Sequence, residues 1–538
     1  MIPALAGAAK NIKSVAGPMA KNMPAFAFLK KPVFLSFLSG LLLTFSFPNF
    51  SFGFLAWLAF VPLLLAIRRA QTDFQALRCG FVTGITFFGS SMHWMTHVTF
   101  VGWLLLILME SIYFILFAWC VFLPHRVRMP RAVILVWIAL SWSATEWLRS
   151  EMPVFGFGWN LLAYSQSFYL TLIQSANWAG AYGLGFLMMI VNVCAAELLS
   201  PRQKKVKGAA AAFFSVIALI FIVLFTYGQK SLADEKKPEE FLRISVLQGN
   251  IPQSVKWELI AKEKILEIYE KLTQLAATEQ PDLIIWPEAS FPGYFNRDLQ
   301  SEKIQQLARE VQTPLLVGAL EWESREEAYN SAYFLDKKGV VTQRYDKLRL
   351  VPFGEYIPLQ FLFGWLTPIA NALGISDFSA GKDLVVFKWA RESWPFGVLI
   401  CFEDVFSDLA RRYADRGAVF LAVITNDAWF GKTGAPFQHL QASIFRAVEN
   451  GLPVVRSANT GVSAFISYQG EVLSTVKDKQ GKEIFMMGQT FVDLPLITQR
   501  TFFRQGGYLF SCMAFTLWII LGIIFWIRSG IFKKGMLL

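Results

Sequence analysis

A single cysteine ends an apolar run in the stretch "FGVLICFEDVF", where Cys401 is followed closely by Glu403 and Asp404. Four fates are open to such a thiol: core packing, metal ligation, a disulfide, or nucleophilic attack. Packing is the simplest for a lone cysteine on a strand, because the thiol behaves as a small hydrophobe. Attack demands more, since a thiol with a reference pKa of about 8.5 needs a base or a positive field at neutral pH. Residues for both occur near apolar strands. "IIWPEAS" sets Glu288 after a hydrophobic run and beside a proline, and "RYDKLRLVPFGEYIP" offers Lys347 and Glu355. Taken singly, each of these charges would be an ordinary solvated group or surface ion pair.

The remaining cysteines narrow the choice. Cys79, Cys120, Cys194 and Cys512 fall in or at the ends of long apolar stretches, so Cys401 has no partner for a disulfide within its own region. Of four histidines, His93 and His97 lie near the end of an apolar stretch, His125 lies in a basic loop, and His439 alone shares the region of Cys401. No metal and no cofactor are expected, and no Walker or dinucleotide glycine loop occurs.

From Phe241 to about Leu496, short β-rich runs such as "FLRISVLQGN", "PDLIIWPE", "PLLVGALEW", "FGVLICFED" and "VFLAVITND" alternate with amphipathic segments at about 256–278, 300–312, 406–416 and 437–450. Such alternation predicts an α/β domain whose strand ends can present a site.

The rest of the chain is apolar. Hydrophobic residues make up 54% of 538 residues, with 51 Phe and 18 Trp, which is too rich for ordinary soluble domains. Spans are predicted at about 34–50, 52–68, 79–98, 101–124, 131–149, 179–200, 207–228 and 508–528, eight in all. Basic residues alternate between their connections: Lys10 to Lys31, Arg68 to Arg78, "HRVRMPR" and "PRQKKVK" mark one side, and the intervening loops carry no Lys or Arg. Basic loops are retained in the cytoplasm. The expected organisation is therefore a cytoplasmic segment 1–33, a membrane domain 34–228 of about seven spans, an outside domain 229–507 with its core at 241–497, a final span 508–528 and a cytoplasmic tail 529–538. The net charge of +11 sits largely in these topology-setting loops and does not point to nucleic acid. The first span is expected to stay as an anchor, because the small residues near Lys21 precede the apolar run instead of following it.

The order WPE, then YDK with FGEYIP, then a cysteine followed by an aromatic residue and Glu, resembles the nitrilase superfamily over roughly 255 residues. "QGNIPQSVKW", "NDAWFGKTGAPFQHLQASIFRAVENGLPVVRSANTGVSA" and the eight-span layout resemble the bacterial apolipoprotein N-acyltransferase family over nearly the whole chain. That resemblance implies an αββα sandwich beside a membrane α-helical bundle. It further implies Cys401 as nucleophile, Glu288 as general base and Lys347 as partner of the tetrahedral oxyanion, with the backbone N–H of Phe402 as a second donor. Glu355 and Glu403 would orient Lys347 or the incoming amine, and Trp257 matches a family tryptophan near the acyl-binding site. Phe402 stands where the family often has Tyr, so a phenol hydroxyl is not essential there. The aromatic stretches "WNLLAYSQSFY" and "NDAWFG" are expected to form a lipid-facing mouth or interfacial belts.

The function so implied is acyl transfer from a membrane glycerophospholipid to the N-terminal α-amine of a diacylglyceryl-cysteine on an apolipoprotein, through a thioester. Its partners would be the phospholipid donor, the apolipoprotein acceptor and the bilayer, with no nucleic acid. A monomer in a bacterial inner membrane, with a periplasmic catalytic domain, is expected. Two other readings remain: a membrane-tethered amidase, and a transporter or receptor with a non-catalytic binding domain. The latter draws on Glu110, Glu146 and Glu197 within the apolar stretches.

Overall fold

The computed structural model describes residues 31–127, 129–199, 209–234, 236–238, 240–324, 327–366, 377–388 and 394–535. The predicted cytoplasmic segment up to residue 30 and the basic loop 201–207 lie outside the described residues.

Each predicted span contains helix. In chain order these are α1 (Pro32–Phe45), α2 (Val61–Ile67), α3 (Asp73–Ser91), α4 (Phe100–Phe122), α5 (Arg131–Glu151), α6 (Ala176–Leu198) and α7 (Ala209–Ala233), followed at the C-terminus by Phe510–Gly535. Among the described residues, four stretches are long and apolar enough to cross a bilayer, not the expected eight: Phe100–Phe122, Ala176–Leu198, Ala210–Ala233 and Gly507–Arg528. The shortfall has physical causes. α1 has 14 residues and α2 only 7, so neither alone reaches the length that a hydrocarbon core demands. α3 opens on Asp73 and contains Arg78, and α5 carries Glu146, Arg149 and Glu151 toward its end.

The acids in these helices are engaged by neighbours. Glu110 pairs with Arg149 at 2.9 Å, and Arg149 also donates to the carbonyl of Phe157 at 2.8 Å. Glu146 accepts from the backbone N–H of Leu162 at 2.5 Å, and Glu197 pairs with Arg68. These contacts tie helices to one another and to the following loops, which gives the acids a structural use.

The remainder is a sandwich of two six-stranded sheets. One has the order β12-β1-β2-β3-β4-β5 and the other β11-β10-β9-β8-β7-β6. The strands are β1 (Glu240–Gln248), β2 (Leu283–Ile285), β3 (Leu315–Trp322), β4 (Ala328–Leu335), β5 (Val341–Asp346), β6 (Val386–Phe387), β7 (Phe396–Ile400), β8 (Phe420–Thr425), β9 (Val454–Ala458), β10 (Ala464–Ile466), β11 (Val472–Thr475) and β12 (Gly488–Leu496). Strand periodicity explains the layering. Leu242, Ile244, Val246, Leu283 and Ile285 join a core shared with Val398, Ile400, Val423 and Val455 of the second sheet. Residues of opposite parity, such as Leu247, Ile284 and Val317, pack with Tyr269 and Leu307 from α8 (Leu259–Ala277) and α9 (Ser301–Val311). Alternate side chains therefore face the other sheet and the outer helices. The second sheet is covered by α10 (Ser407–Asp415) and α11 (Ala435–Asn450), completing the αββα arrangement. Ser457 stitches the sheets by donating to the carbonyls of Leu247 at 2.9 Å and Ile285 at 3.0 Å, so its hydroxyl hydrogen is shared between two acceptors.

α11 also joins the sandwich to the helical part. Gln438 accepts from the indoles of Trp94 (3.1 Å) and Trp159 (2.9 Å), and donates to the carbonyls of Pro48 (2.8 Å) and Ser91 (3.1 Å). Glu449 accepts from the backbone of Ala181 at 2.9 Å and from Ser407 at 2.9 Å. The same helix thus touches four helical-domain segments, around Pro48, Ser91–Trp94, Trp159 and Ala181, and the start of α10. Most of "WNLLAYSQSFY" is packed here, with Trp159 and Tyr164 buried, so this stretch is not the open mouth expected of it; Phe168 and Trp429 remain exposed.

Candidate active site

Three strand ends converge. Cys401 follows β7, Glu288 lies just beyond β2, and Lys347 follows β5, so groups from both sheets meet at the ends where parallel strands leave room for a ligand. Cys401 holds a backbone φ of 54°, a left-handed conformation that costs a non-glycine residue energy and turns its side chain sharply out of the strand direction. Lys347 is held from both ends. Its backbone N–H donates to the carbonyl of Asn330 at 2.9 Å, and its Nζ lies 2.9 Å from Glu355 Oε1 and 3.5 Å from Glu288 Oε1. The amide of Asn330 bridges the two acids, donating at 2.7 Å to Glu288 and at 3.0 Å to Glu355. The second oxygen of Glu355 accepts from the backbone of Val351 at 2.8 Å, which pins the loop carrying it.

Electrostatics divides the labour. Burial pushes the Lys347 ammonium toward neutrality, but Glu355 and Glu288 outweigh it and raise the pKa, so this lysine stays charged. Cys401 moves the other way. Burial, then the charge of Glu288, push its thiol well above the ordinary value against the opposing pull of Lys347. The resting residue is therefore a thiol, and its use as a nucleophile requires a base during the reaction. Glu288 and Lys347 are the charged side chains whose fields act most strongly on it.

Glu403 makes no ion pair with Lys347 among the described residues, although the ammonium's charge acts on it. Its carboxylate accepts from Tyr345 (2.8 Å) and from the backbones of Leu348 (2.7 Å), Arg349 (3.1 Å) and Ile400 (2.8 Å). Burial raises its pKa to about 7 against the pull of these donors. Glu403 thereby fastens the loop after Lys347 to the strand end before Cys401. Its carboxylate oxygens are engaged by these donors, and the loop they hold is the one that follows Lys347. The Phe402 ring stacks on Phe157 of the helical part at 5.9 Å and meets Phe406 edge-on at 5.1 Å, an apolar slot with no visible need for a hydroxyl. Trp257 is largely exposed, with the Lys256 ammonium 5.9 Å from its ring centroid. A cavity of about 320 Å³ opens beside the site between residues 152–156 of the helical part and Leu348, Arg349 and Phe402.

Three groups escaped sequence reasoning. Asn330 is a polar residue buried in mid-strand in "YNSAYFL", a signal that a buried partner is waiting. Lys256 is buried one position before the quoted tryptophan, and its Nζ donates to the backbone carbonyl of Glu288 at 3.2 Å. The third is a network behind Cys401. His439 Nε2 lies 2.9 Å from Asp404, His439 Nδ1 lies 2.9 Å from Asp427, and Arg456 reaches the same two aspartates at 2.9 and 3.2 Å. Ser443 donates to Asp404 at 2.5 Å, and His439 Nε2 is also 3.3 Å from the Cys401 carbonyl. Burial and the nearby Arg456, whose Nη2 lies 2.7 Å from Nδ1, push the imidazole down, but the two aspartates win and lift it to about 9. Asp404 and Asp427 are held below the usual carboxylate range: burial opposes this, and the cations overcome it. The signal was present in α11, whose Gln438, His439, Ser443, Arg446 and Glu449 share one flank of the helix and are all buried.

Comparison with known proteins agrees with the two-part architecture. Residues 39–194 match the apolipoprotein N-acyltransferase N-terminal domain and residues 243–497 match carbon-nitrogen hydrolase. An apolipoprotein N-acyltransferase of Geobacter metallireducens is 37% identical over 84% of this chain and 88% of its own length. The chain belongs to the apolipoprotein N-acyltransferase family. Another apolipoprotein N-acyltransferase, from Chlorobaculum tepidum, is 30% identical over 82% of this chain and 88% of its own. Among solved structures, an amidase from Nesterenkonia sp. AN1 aligns with 47% of this chain and 93% of its own at 20% identity and a TM-score of 0.37.

Proposed function

We propose that this acyltransferase moves an acyl chain from a membrane glycerophospholipid to the N-terminal α-amine of the diacylglyceryl-cysteine of an apolipoprotein, the final step of bacterial lipoprotein maturation. The observation that carries the reading is the convergence of Glu288, Lys347 and Cys401 from three strand ends in a chain of this family. Glu288 takes the thiol proton as Cys401 attacks the ester, and Lys347 with the Phe402 N–H stabilises the tetrahedral oxyanion. Collapse expels the lysophospholipid alkoxide, which takes the proton from Glu288, and leaves a Cys401 thioester. The acceptor amine then attacks that thioester, giving the amide and restoring the thiol.

The membrane arrangement follows from the same reading. Both substrates are lipid-anchored, so the site must stand at a bilayer surface. The largely exposed apolar flanks of Ala210–Ala233 and Gly507–Arg528 suit contact with lipid. We place the helical part in the inner membrane, both termini in the cytoplasm and the catalytic domain 229–507 in the periplasm, on the alternation of basic loops.

The test is an assay with phospholipid carrying a labelled acyl chain and a diacylated lipopeptide with a free α-amine. One N-acylated lipopeptide and one lysophospholipid should form per turnover, and the Cys401→Ser variant should form neither. Labelled free fatty acid in place of the amide would make the protein a hydrolase and overturn the acceptor assignment.

A further inference from the structure

Two lysines are buried in this site, and their surroundings differ. Lys347 lies against two carboxylates. Lys256, equally withdrawn from solvent, has no carboxylate within ion-pair distance among the described residues; its one hydrogen bond goes to the neutral carbonyl of Glu288. An ammonium carries three N–H donors, so two are left without a protein acceptor among the described residues. A buried cation without a counter-charge is costly, and such a lysine exchanges its proton readily.

The position bears on the chemistry. Lys256 comes from the loop after β1, and the titratable groups it faces are Glu288, from the loop beyond β2, and Cys401, at the end of β7. Burial lowers its pKa to about 8 even though both of those groups pull it upward. Lys347 is driven the opposite way by the same kind of burial plus two acids. Titratable neighbours whose environments push them apart are the usual mark of divided acid and base duties.

We propose that Lys256 is the proton acceptor of the amine half-reaction, taking a proton from the α-ammonium of the incoming acceptor so that the free amine can attack the Cys401 thioester. The inference rests on the acyl-transfer reading above. A free α-amine has a pKa of about 7.7–8.0, so at pH 7 most acceptor molecules arrive protonated and non-nucleophilic. The protons balance. Lys256 in its neutral form, within reach near neutral pH because its pKa is only about 8, takes one from the ammonium; nitrogen then bonds to the acyl carbon, and the carbon–sulfur bond breaks. Glu288, left as a carboxylate by the first half-reaction, takes the second nitrogen proton and returns it to the Cys401 thiolate. The amide keeps the third, and Lys256 loses its proton to solvent before the next cycle.

The test uses the full-length chain as wild type, Lys256→Arg, which keeps a charge that cannot be given up, and Lys256→Met. Each is loaded with labelled phospholipid to form the acyl-enzyme, then chased either with the diacylated lipopeptide or with hydroxylamine, whose nitrogen is already unprotonated at neutral pH. Both variants should acylate within about threefold of wild type and discharge to hydroxylamine normally. Discharge to lipopeptide at pH 7 should slow by about 10²-fold or more, the range for a lost general base, and recover as pH rises through the amine's own pKa. Lipopeptide discharge at the wild-type rate would overturn the inference, as would loss of acylation in both variants. Absence of a thioester in the wild type would instead strike the acyl-transfer reading itself.

Discussion

On one side of Cys401, Glu288, Glu355 and Lys347 share a single cation between two carboxylates; on the other, Asp404 and Asp427 are matched by Arg456 and a protonated His439. Both clusters are buried and both touch the surroundings of the same cysteine. The second engages all four of its carboxylate oxygens and balances its charges, so a substrate has nothing left to bind there. The first has hydrogen bonds to only one oxygen of Glu288 among the described residues, and its fixed ammonium faces a thiol held in the neutral state. Burial of charge alone therefore does not mark catalysis. Unused bonding capacity beside a buried thiol is what sets the first cluster apart.

Substitutions should separate the clusters by readout. The largest effect is expected for Lys347→Met, which removes the proposed oxyanion partner and should slow acyl-enzyme formation by about 10² to 10³, the range for one lost donor at such a site. Normal single-turnover acylation with weakened phospholipid binding would reassign Lys347 to head-group recognition. Asp404→Asn should act on folding instead: breaking one partner of a buried ion-pair network costs about 3–5 kcal/mol, read by denaturant unfolding in detergent, while acylation by the folded protein stays within about tenfold of wild type. A 10²-fold rate loss with unchanged stability would move this network into the chemistry.

A smaller effect concerns pH. His439 has a folded-state pKa of about 9, above its reference of about 6.5. Its contribution to stability is fully present below pH 6.5 and is lost as pH rises through 9. Thermal unfolding of the wild type should accordingly shift to lower temperature between those limits, and His439→Gln should flatten that slope; an unchanged slope would mean that the imidazole is neutral in the fold. Smallest of all, Cys512→Ala, at an exposed position on the C-terminal helix, should leave acyl transfer unaltered in the labelled-phospholipid assay.

Much of this arrangement was legible in the residues. The strand runs and the four helical segments of the sandwich follow from period-2 and period-3.6 patterns, and they fall within a few residues of α8 to α11. Glu288 and Cys401 stood out because each follows an apolar strand, and Lys347 through the motif YDK followed by FGEYIP. What stayed hidden depends on contacts far apart in sequence. Asn330 acquires its meaning only when β4 brings it between Glu288 and Glu355. His439 stood out only as a scarce histidine, since its two aspartates come from the turns after β7 and β8. The helical part was overread for a related reason: apolar stretches such as α1 and α2 are rich enough in hydrophobic residues for membrane but too short as helices, because proline and turn residues interrupt them.

The most direct test is intact-mass measurement of the purified protein after incubation with phospholipid and no acceptor. The proposed chemistry requires one acyl-sized adduct, localised by peptide mapping to Cys401, released by hydroxylamine and discharged by the diacylated lipopeptide. An active preparation that forms amide product yet never carries an adduct on Cys401, even when the acceptor is withheld, would contradict the thioester and the role assigned to this cysteine.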